Sequence, residues 1–434
     1  MRIYQLTGYG GKKGRLAWPL SAIKKCLLIS GFLFLFFTAH SQYFGRYKPG
    51  YKTFDYNVYK TPHFEIYHYL DNDTLLNHFS RLAEEWYTLH QDIFRDTFKR
   101  RNPILLYNNQ ADFQQTNAVS SMIGVGTGGV TEVLKNRVVM PVSSAYAQTD
   151  HVLGHEMVHA FQFHMVTSPS TDSLSMRNLS NLPLWMVEGM AEYLSIGSVD
   201  AHTAMWMRDA ILNDDFPTLR KLTSNSNYFP YRFGQSFWSL VAKTWGDDVI
   251  RPLFIKTAKY GYQVAIDSVL GISAHTLSNM WRAATENHFR KFMKDTAENF
   301  IGQEKKKKKN AGEINISPSI SPDGKHVIFL SEKDLFSLDL FLADAETGEI
   351  IKKVSSTVHR NEIDALNFLE SSGTWSPDSK RFAYVVFSKG KNKLVIVDVD
   401  KTRIVREIEI PGLPAFTQPS WSPDGDRILL SGLE

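Results

Sequence analysis

The segment His155-Glu156-Met157-Val158-His159 holds residue types and spacing suited to metal-assisted hydrolysis. On a helix, residues four apart share one face, so both imidazoles can grip one metal ion while Glu156 points at its open coordination position. Neutral imidazole suits zinc, one ion per chain. Val152, Leu153, Val158 and Phe161 supply an apolar face for this helix, and Thr149 or Asp150 can cap it. His151 and His164 lack an adjacent glutamate and read as ordinary surface or packing histidines.

Two histidines need a third protein ligand. Pro183 can start a helix in which Glu188 and Glu192 lie four apart on one face. Two like charges on an apolar helix are costly unless a cation lies opposite, and a zinc ion would supply that charge. The alternative, with both carboxylates facing solvent, is opposed by the surrounding Trp185, Met186, Val187, Met190 and Ala191. Glu188 therefore reads as the ligand and Glu192 as the group that orients a ligand histidine. Gly189 removes a side chain beside Glu188, so the other helix can come close.

The pair of motifs, His155-Glu156-x-x-His159 and Trp185-x-x-Glu188-Gly189-x-Ala191-Glu192-Tyr193, resembles the gluzincin zinc metallopeptidases. The resemblance implies a zincin-like fold, with Glu188 as third ligand and Glu192 hydrogen-bonded to His155. Two departures stand out. The 28 residues between His159 and Glu188 exceed the aminopeptidase spacing, and Val187 replaces an Asn that would partner His159. By the same resemblance, Gly126 to Glu132 corresponds to an edge strand that pairs with substrate backbone, through Gly128, Gly129 and Val130. A Gly-rich hairpin loop of no special role is the alternative for this stretch. The family also uses a Tyr or His to stabilise the oxyanion. Here Tyr231, ahead of Tyr228, is the candidate, both standing just before a helix that contains Phe237 and Trp238. In the implied mechanism Glu156 takes the proton from a zinc-polarised water that attacks a peptide carbonyl.

The elements that must position these residues are mixed. Thr61 to Leu70 alternates as a strand, and Asp73 or Thr74 can cap a helix with apolar positions from Leu75 to Ile93. Pro103 starts a short strand through Tyr107, and Val125 to Val133 and Arg137 to Val142 read as two strands joined by a turn. Helical patterns dominate from there to about residue 300. The first domain, residues 42–301, is thus α+β with a helical second half.

Composition narrows the function further. With 43% hydrophobic and 22% charged residues the chain reads as globular, which excludes a disordered, collagenous or disulfide-stapled class. Residues 1–41 carry six Lys or Arg and no acid, so subtracting them turns the net +4 into −2. No basic surface for nucleic acid remains. Lys24 and Lys25, the apolar run Leu27 to Phe37 and Ala39-His40-Ser41 read as a signal peptide over residues 1–41. An uncleaved anchor is the alternative and the one route to a membrane. Cleavage removes Cys26, the single cysteine, which suits an exported protein of the periplasm or extracellular space in a bacterial envelope.

Residues 302–312, with Lys305 to Lys309, read as a solvated linker. Beyond it Ser321-Pro322-Asp323-Gly324, Ser376-Pro377-Asp378-Ser379 and Ser422-Pro423-Asp424-Gly425 recur, each followed by an alternating strand. Such repeats of short strands indicate propeller blades, and residues 313–434 resemble TolB-like β-propellers. Two blades and the start of a third are present, too few to close, so the natural protein is expected to continue past Glu434. Two functions follow. One is an exported zinc peptidase acting on a peptide or protein, whose propeller docks substrates or an envelope partner. The other is an inactive envelope scaffold that works through its propeller.

Overall fold

Alternating burial builds the first sheet. In this computed structural model, which describes residues 50–433 apart from 122, 125, 144, 168–175, 294–311, 313, 332, 334–338, 356–364, 367–372 and 414, the described chain lies in one compact unit, Lys48–Glu434. Strand β1 is Asn57–Lys60 and β2 is Phe64–His68, shorter than Thr61 to Leu70, with Phe64, Ile66 and His68 buried. Strand β3 is Asn102–Tyr107, β4 Val130–Glu132 and β5 Arg137–Pro141. They form one sheet in the order β1-β2-β3-β5-β4. The pairs β2/β3 and β3/β5 are parallel, whereas β1/β2 and β4/β5 are antiparallel, so β4 is an edge. Among the described residues of the expected strand Val125 to Val133, only Val130, Thr131 and Glu132 pair with β5.

Helices cover the sheet and continue beyond it. These are α1 (Asp73–Phe94), the short α2 (Gln110–Phe113), α3 (Tyr146–Thr167), α4 (Leu184–Ile196), α5 (Ala201–Leu212), α6 (Leu219–Ser224) and α7 (Pro230–Trp245). Then come α8 (Ile250–Tyr260), α9 (Tyr262–Leu270) and α10 (Ala274–Met293). Two caps differ from expectation. Asn72, not Asp73 or Thr74, accepts the hydrogen bond from the Leu75 backbone. The α3 helix starts at Tyr146, because Thr149 and Asp150 are engaged elsewhere: the Thr149 hydroxyl oxygen accepts from Ser143 N at 2.9 Å, and Asp150 accepts from the Trp86 indole at 2.8 Å.

One apolar core joins the sheet to these helices. Trp185, Trp238 and Trp281 are almost wholly buried in it, so each indole N–H needs an acceptor. Trp185 donates to Thr223 Oγ1, Trp238 to the Met186 carbonyl and Trp281 to Ser236 Oγ, at 2.9 to 3.0 Å. The first two bonds tie α4 to α6 and α7, and the third ties α10 to α7.

The same core holds a buried titratable group. His90 is stacked on Trp86 and packed against Phe94 and Phe161, and its Nδ1 has no partner among the described residues. Burial holds its pKa down at about 4, although the Leu194 carbonyl offers partial compensation. The unfolded value is about 6.5. Because the folded value is the lower one, the unfolded chain binds more protons between pH 6.5 and 4. Stability is therefore full above pH 6.5 and falls as pH drops toward 4, by roughly 3 kcal/mol in all. In His90→Phe the urea midpoint should lose that share of its fall between pH 7 and pH 4.5. An unchanged pH dependence would refute the assignment.

The region after residue 312 holds strands joined by turns, with no helix among its described residues. Strands β6 (Asn315–Ile320), β7 (His326–Ser331), β8 (Asp339–Asp344) and β9 (Ile350–Ser355) form an antiparallel four-stranded sheet. A second sheet contains β10 (Ala365–Leu366), β11 (Thr374–Trp375), β12 (Arg381–Ser388), β13 (Lys391–Asp398) and β14 (Arg403–Ile408). Strands β15 (Ala415–Trp421) and β16 (Ile428–Leu433) pair on their own, and none of these sheets closes on itself.

The three Ser-Pro-Asp segments make the same turn. In each, the Ser hydroxyl donates to the Asp two residues on, at 2.5 to 2.6 Å. The serine oxygen also accepts from the backbone N–H five residues on, in His326, Arg381 and Arg427. The fourth position is left-handed, with φ of 73° at Gly324, 59° at Ser379 and 82° at Gly425. A serine there carries strain that glycine avoids.

The proposed leader, residues 1–41, and the lysine run Lys305 to Lys309 lie outside the described residues. Among the described residues no helix is long and apolar enough to cross a membrane.

Candidate metal centre

Helices α3 and α4 bring the expected donors together. His155 Nε2 and His159 Nε2 are 3.1 Å apart, and Glu188 Oε2 lies 3.3 Å from the first and 3.2 Å from the second. All three residues are buried or half-buried. A tetrahedral ion bonded to N and O at about 2.0 to 2.1 Å has ligand-to-ligand edges of about 3.3 to 3.4 Å, so the triangle fits one metal ion. The electrostatics agree with that fit. Burial would lower the His155 pKa, yet hydrogen bonds to Glu188 and Glu192 and the charge of Glu156 overcome it and raise it to about 10. Burial likewise works against Glu188, but its bonds to His155 and His159 hold it well below the usual carboxylate range. The cluster thus draws positive charge, which a divalent cation would supply.

The outward nitrogens of both histidines are also held. His155 Nδ1 is 3.1 Å from Glu192 Oε1, the arrangement that orients an imidazole for ligation. His159 Nδ1 is 2.9 Å from Gln162 Oε1, and the Gln162 amide donates to the Val187 carbonyl at 3.1 Å. Val187 stands where an Asn was expected, and Gln162 from the same helix as His159 takes over the contact. Spacing could have revealed it, since Gln162 is three residues on and faces the same side.

Glu156 is 5% exposed and lies against the edge strand. Thr131 Oγ1 is 2.6 Å from Glu156 Oε2 and 3.0 Å from its carbonyl oxygen. The space beside the two glycines belongs to α3 itself. A Cβ on Gly129 would fall 2.8 Å from Glu156 Cγ, and one on Gly128 would fall 2.9 Å from Val152 Cγ2. These glycines therefore let the helix approach the strand, while Val130 opens the strand proper.

Helix α7 completes the surroundings. Tyr231 lies in its first turn rather than before it, and its ring stacks on His155 at 5.9 Å. Burial, then the charge of Glu188 and a hydrogen bond to it, push the Tyr231 hydroxyl well above its ordinary pKa, so it remains a donor. Tyr228 donates to Asp215 at 2.7 Å and packs on Phe233, away from the cluster. Arg232 donates to Glu192 Oε2 at 2.8 Å and reaches Asp200 Oδ2 at 3.4 Å. His151 is half-buried, and its Nε2 stands 3.5 Å from Glu192 Oε1. His164 pairs with Asp96 at 2.6 Å, in keeping with a packing role. Thr131, Gln162 and Arg232 were not foreseen. Thr131 and Arg232 reach the site only through long-range packing.

Gly189 does permit close approach, but of α7. Its Cβ would fall 2.2 Å from the Gly234 carbonyl carbon.

No curated protein matches the chain. Among solved structures it is similar to TolB from Acinetobacter baumannii, with 17% identity, a TM-score of 0.22 and coverage of 27% of each chain. It is similar as well to an acylaminoacyl peptidase in complex with Z-Gly-Gly-Phe-chloromethyl ketone, at 23% identity and TM-score 0.20, and to Pyrococcus horikoshii acylaminoacyl peptidase, at 21% and 0.20. Each of these two alignments covers 27% of this chain and 20% of the other, so the chain spans about a fifth to a quarter of these structures. Residues 111–281, the stretch that holds Thr131, both histidines, Glu156, Gln162, Glu188, Glu192, Tyr231 and Arg232, match the family described as "Peptidase of plants and bacteria".

Proposed function

We propose that the domain is a zinc-dependent peptidase of gluzincin type. The carrying observation is the triangle of His155, His159 and Glu188 donor atoms, 3.1 to 3.3 Å on each side, with Glu156 beside it. The peptidase-family match supports the same reading. Zinc, when bound, would supply a Lewis acid that acidifies water and polarises a carbonyl.

The chain's own residues do the rest. The edge of β4, unpaired among the described residues, aligns an extended peptide by backbone pairing. Glu156 accepts the water proton as oxygen bonds to the carbonyl carbon, with Thr131 fixing its carboxylate. Tyr231 donates toward the carbonyl oxygen as charge develops there. Glu156 then delivers the proton to the amide nitrogen, the C–N bond breaks, and an amine and a carboxylic acid form, the acid passing its proton to the amine as they leave. Glu192, held by Arg232, keeps His155 aimed.

The export reading of residues 1–41 and a docking role for the C-terminal strands belong to the same proposal. The latter is supported by the threefold turn and the antiparallel four-stranded sheet.

Titration should find one tight zinc per chain, and a chelator should stop cleavage of a peptide library, with zinc restoring it. Glu188→Ala should weaken zinc by about 10- to 100-fold or more while the fold remains. Chelator-resistant cleavage, or full affinity in Glu188→Ala, would refute the centre.

A further inference from the structure

We infer that Tyr231, Phe229 and Trp206 form a subsite that selects peptides carrying an aromatic side chain near the scissile bond. This rests on the peptidase reading above. The observation is a chain of ring contacts that begins at His155 and grows more tilted outward. Tyr231 stacks on His155 at 5.9 Å and 14°, Phe229 on Tyr231 at 5.1 Å and 29°, and Trp206 against Phe229 at 5.5 Å and 35°.

The inner ring is half-buried, but the outer two remain open. Phe229 is 38% exposed and Trp206 36%. Two large aromatic side chains left in water can still bury area against a third ring. Their position suits a peptide. The two inner ring spacings set Phe229 at most about 11 Å from His155, about three residues of extended chain at 3.3 Å each. A substrate that pairs with one strand edge and reacts beside His155 would therefore carry a nearby side chain along this wall.

The elements make the wall rigid. Phe229 caps α7 at its first turn, and Trp206 is carried by α5. Asp200, the cap residue of α5, accepts from both Thr203 N and Arg232. The aromatic wall and the Glu192 network are thus fixed by the same two helices.

The test compares blocked peptides that differ at one position beside the scissile bond, carrying Phe, Trp, Ala or Lys. The wild type should prefer Phe or Trp to Ala by about tenfold or more in kcat/KM. Phe229→Ala and Trp206→Ala should cut that preference to about twofold while cleavage of the Ala peptide stays as it was. Phe229→Tyr should restore it, which separates ring stacking from damage to the fold. Equilibrium binding to Glu156→Gln supplies a readout without turnover: the Phe peptide should bind about tenfold tighter than the Ala peptide, and Phe229→Ala in that background should erase the difference. Cleavage with no aromatic preference would overturn the subsite and leave the peptidase reading standing. Absence of cleavage with the binding preference intact would overturn the peptidase reading alone. Tighter binding of cellohexaose than of any peptide, lost in Phe229→Ala, would overturn the subsite in favour of a sugar-binding wall.

Discussion

Glu156→Gln should lower peptide hydrolysis by a factor of about 100 to 10,000 while leaving the fold and zinc content intact. Glutamine matches glutamate in size and keeps an oxygen able to accept from Thr131, whose hydroxyl now lies 2.6 Å from Glu156 Oε2. What it loses is the capacity to take a proton from water and return it to the departing nitrogen. None of the three triangle atoms belongs to Glu156, so the affinity for the ion should change little. Single-turnover hydrolysis together with zinc analysis of the purified variant checks both halves. Retained turnover would exclude Glu156 as the base. Lost zinc would mean that its carboxylate helps to bind the ion.

Gly189→Ala should be the most destabilising small substitution in the site, at about 3 kcal/mol or more. Two effects oppose each other. Alanine in a helix interior gains up to about 1 kcal/mol over glycine. Against that, the new Cβ would lie 2.2 Å from Gly234 C, 2.3 Å from Gly234 Cα and 2.8 Å from Gln235 N. All three are backbone atoms that no rotamer change can move aside, so the steric term wins. Gly234→Ala meets the same crossing from the other side, its Cβ falling 2.0 Å from the Trp185 carbonyl oxygen. Relief requires α4 to move off α7, and α4 carries Glu188 and Glu192 with it. Both variants should therefore lose zinc affinity by tenfold or more along with stability. Urea denaturation with and without zinc measures the two losses. A variant as stable as the wild type would show that the helices can separate at no cost.

The legible part of the site was its local part. His155, Glu156 and His159 share a face because of helical periodicity, as do Glu188 and Glu192. Gln162 was legible by the same rule, and it holds His159 in place of the missing Asn. Caps were read less well, because Thr149 and Asp150 have suitable side chains but spend them on Ser143 and Trp86. The glycines ahead of β4 also make room for α3, since a Cβ on either would meet Val152 or Glu156, a contact that no local pattern announces.

The Ser-Pro-Asp turns close through bonds spanning two to five residues, so their recurrence alone foretold three like turns. The sequence by itself thus determined the two helix-borne donor sets and those turns, since each depends on spacing within one element. Only the tertiary structure decided that atoms from α3 and α4 converge to within 3.3 Å, that Thr131 crosses from a sheet edge to Glu156, and that Arg232 braces Glu192. Those contacts join residues 25 to 40 positions apart. The Arg232 contact follows from how closely α4 and α7 pack at Gly189 and Gly234, and the other two from how α3 meets α4 and β4, properties of surfaces in contact that no period along one chain encodes.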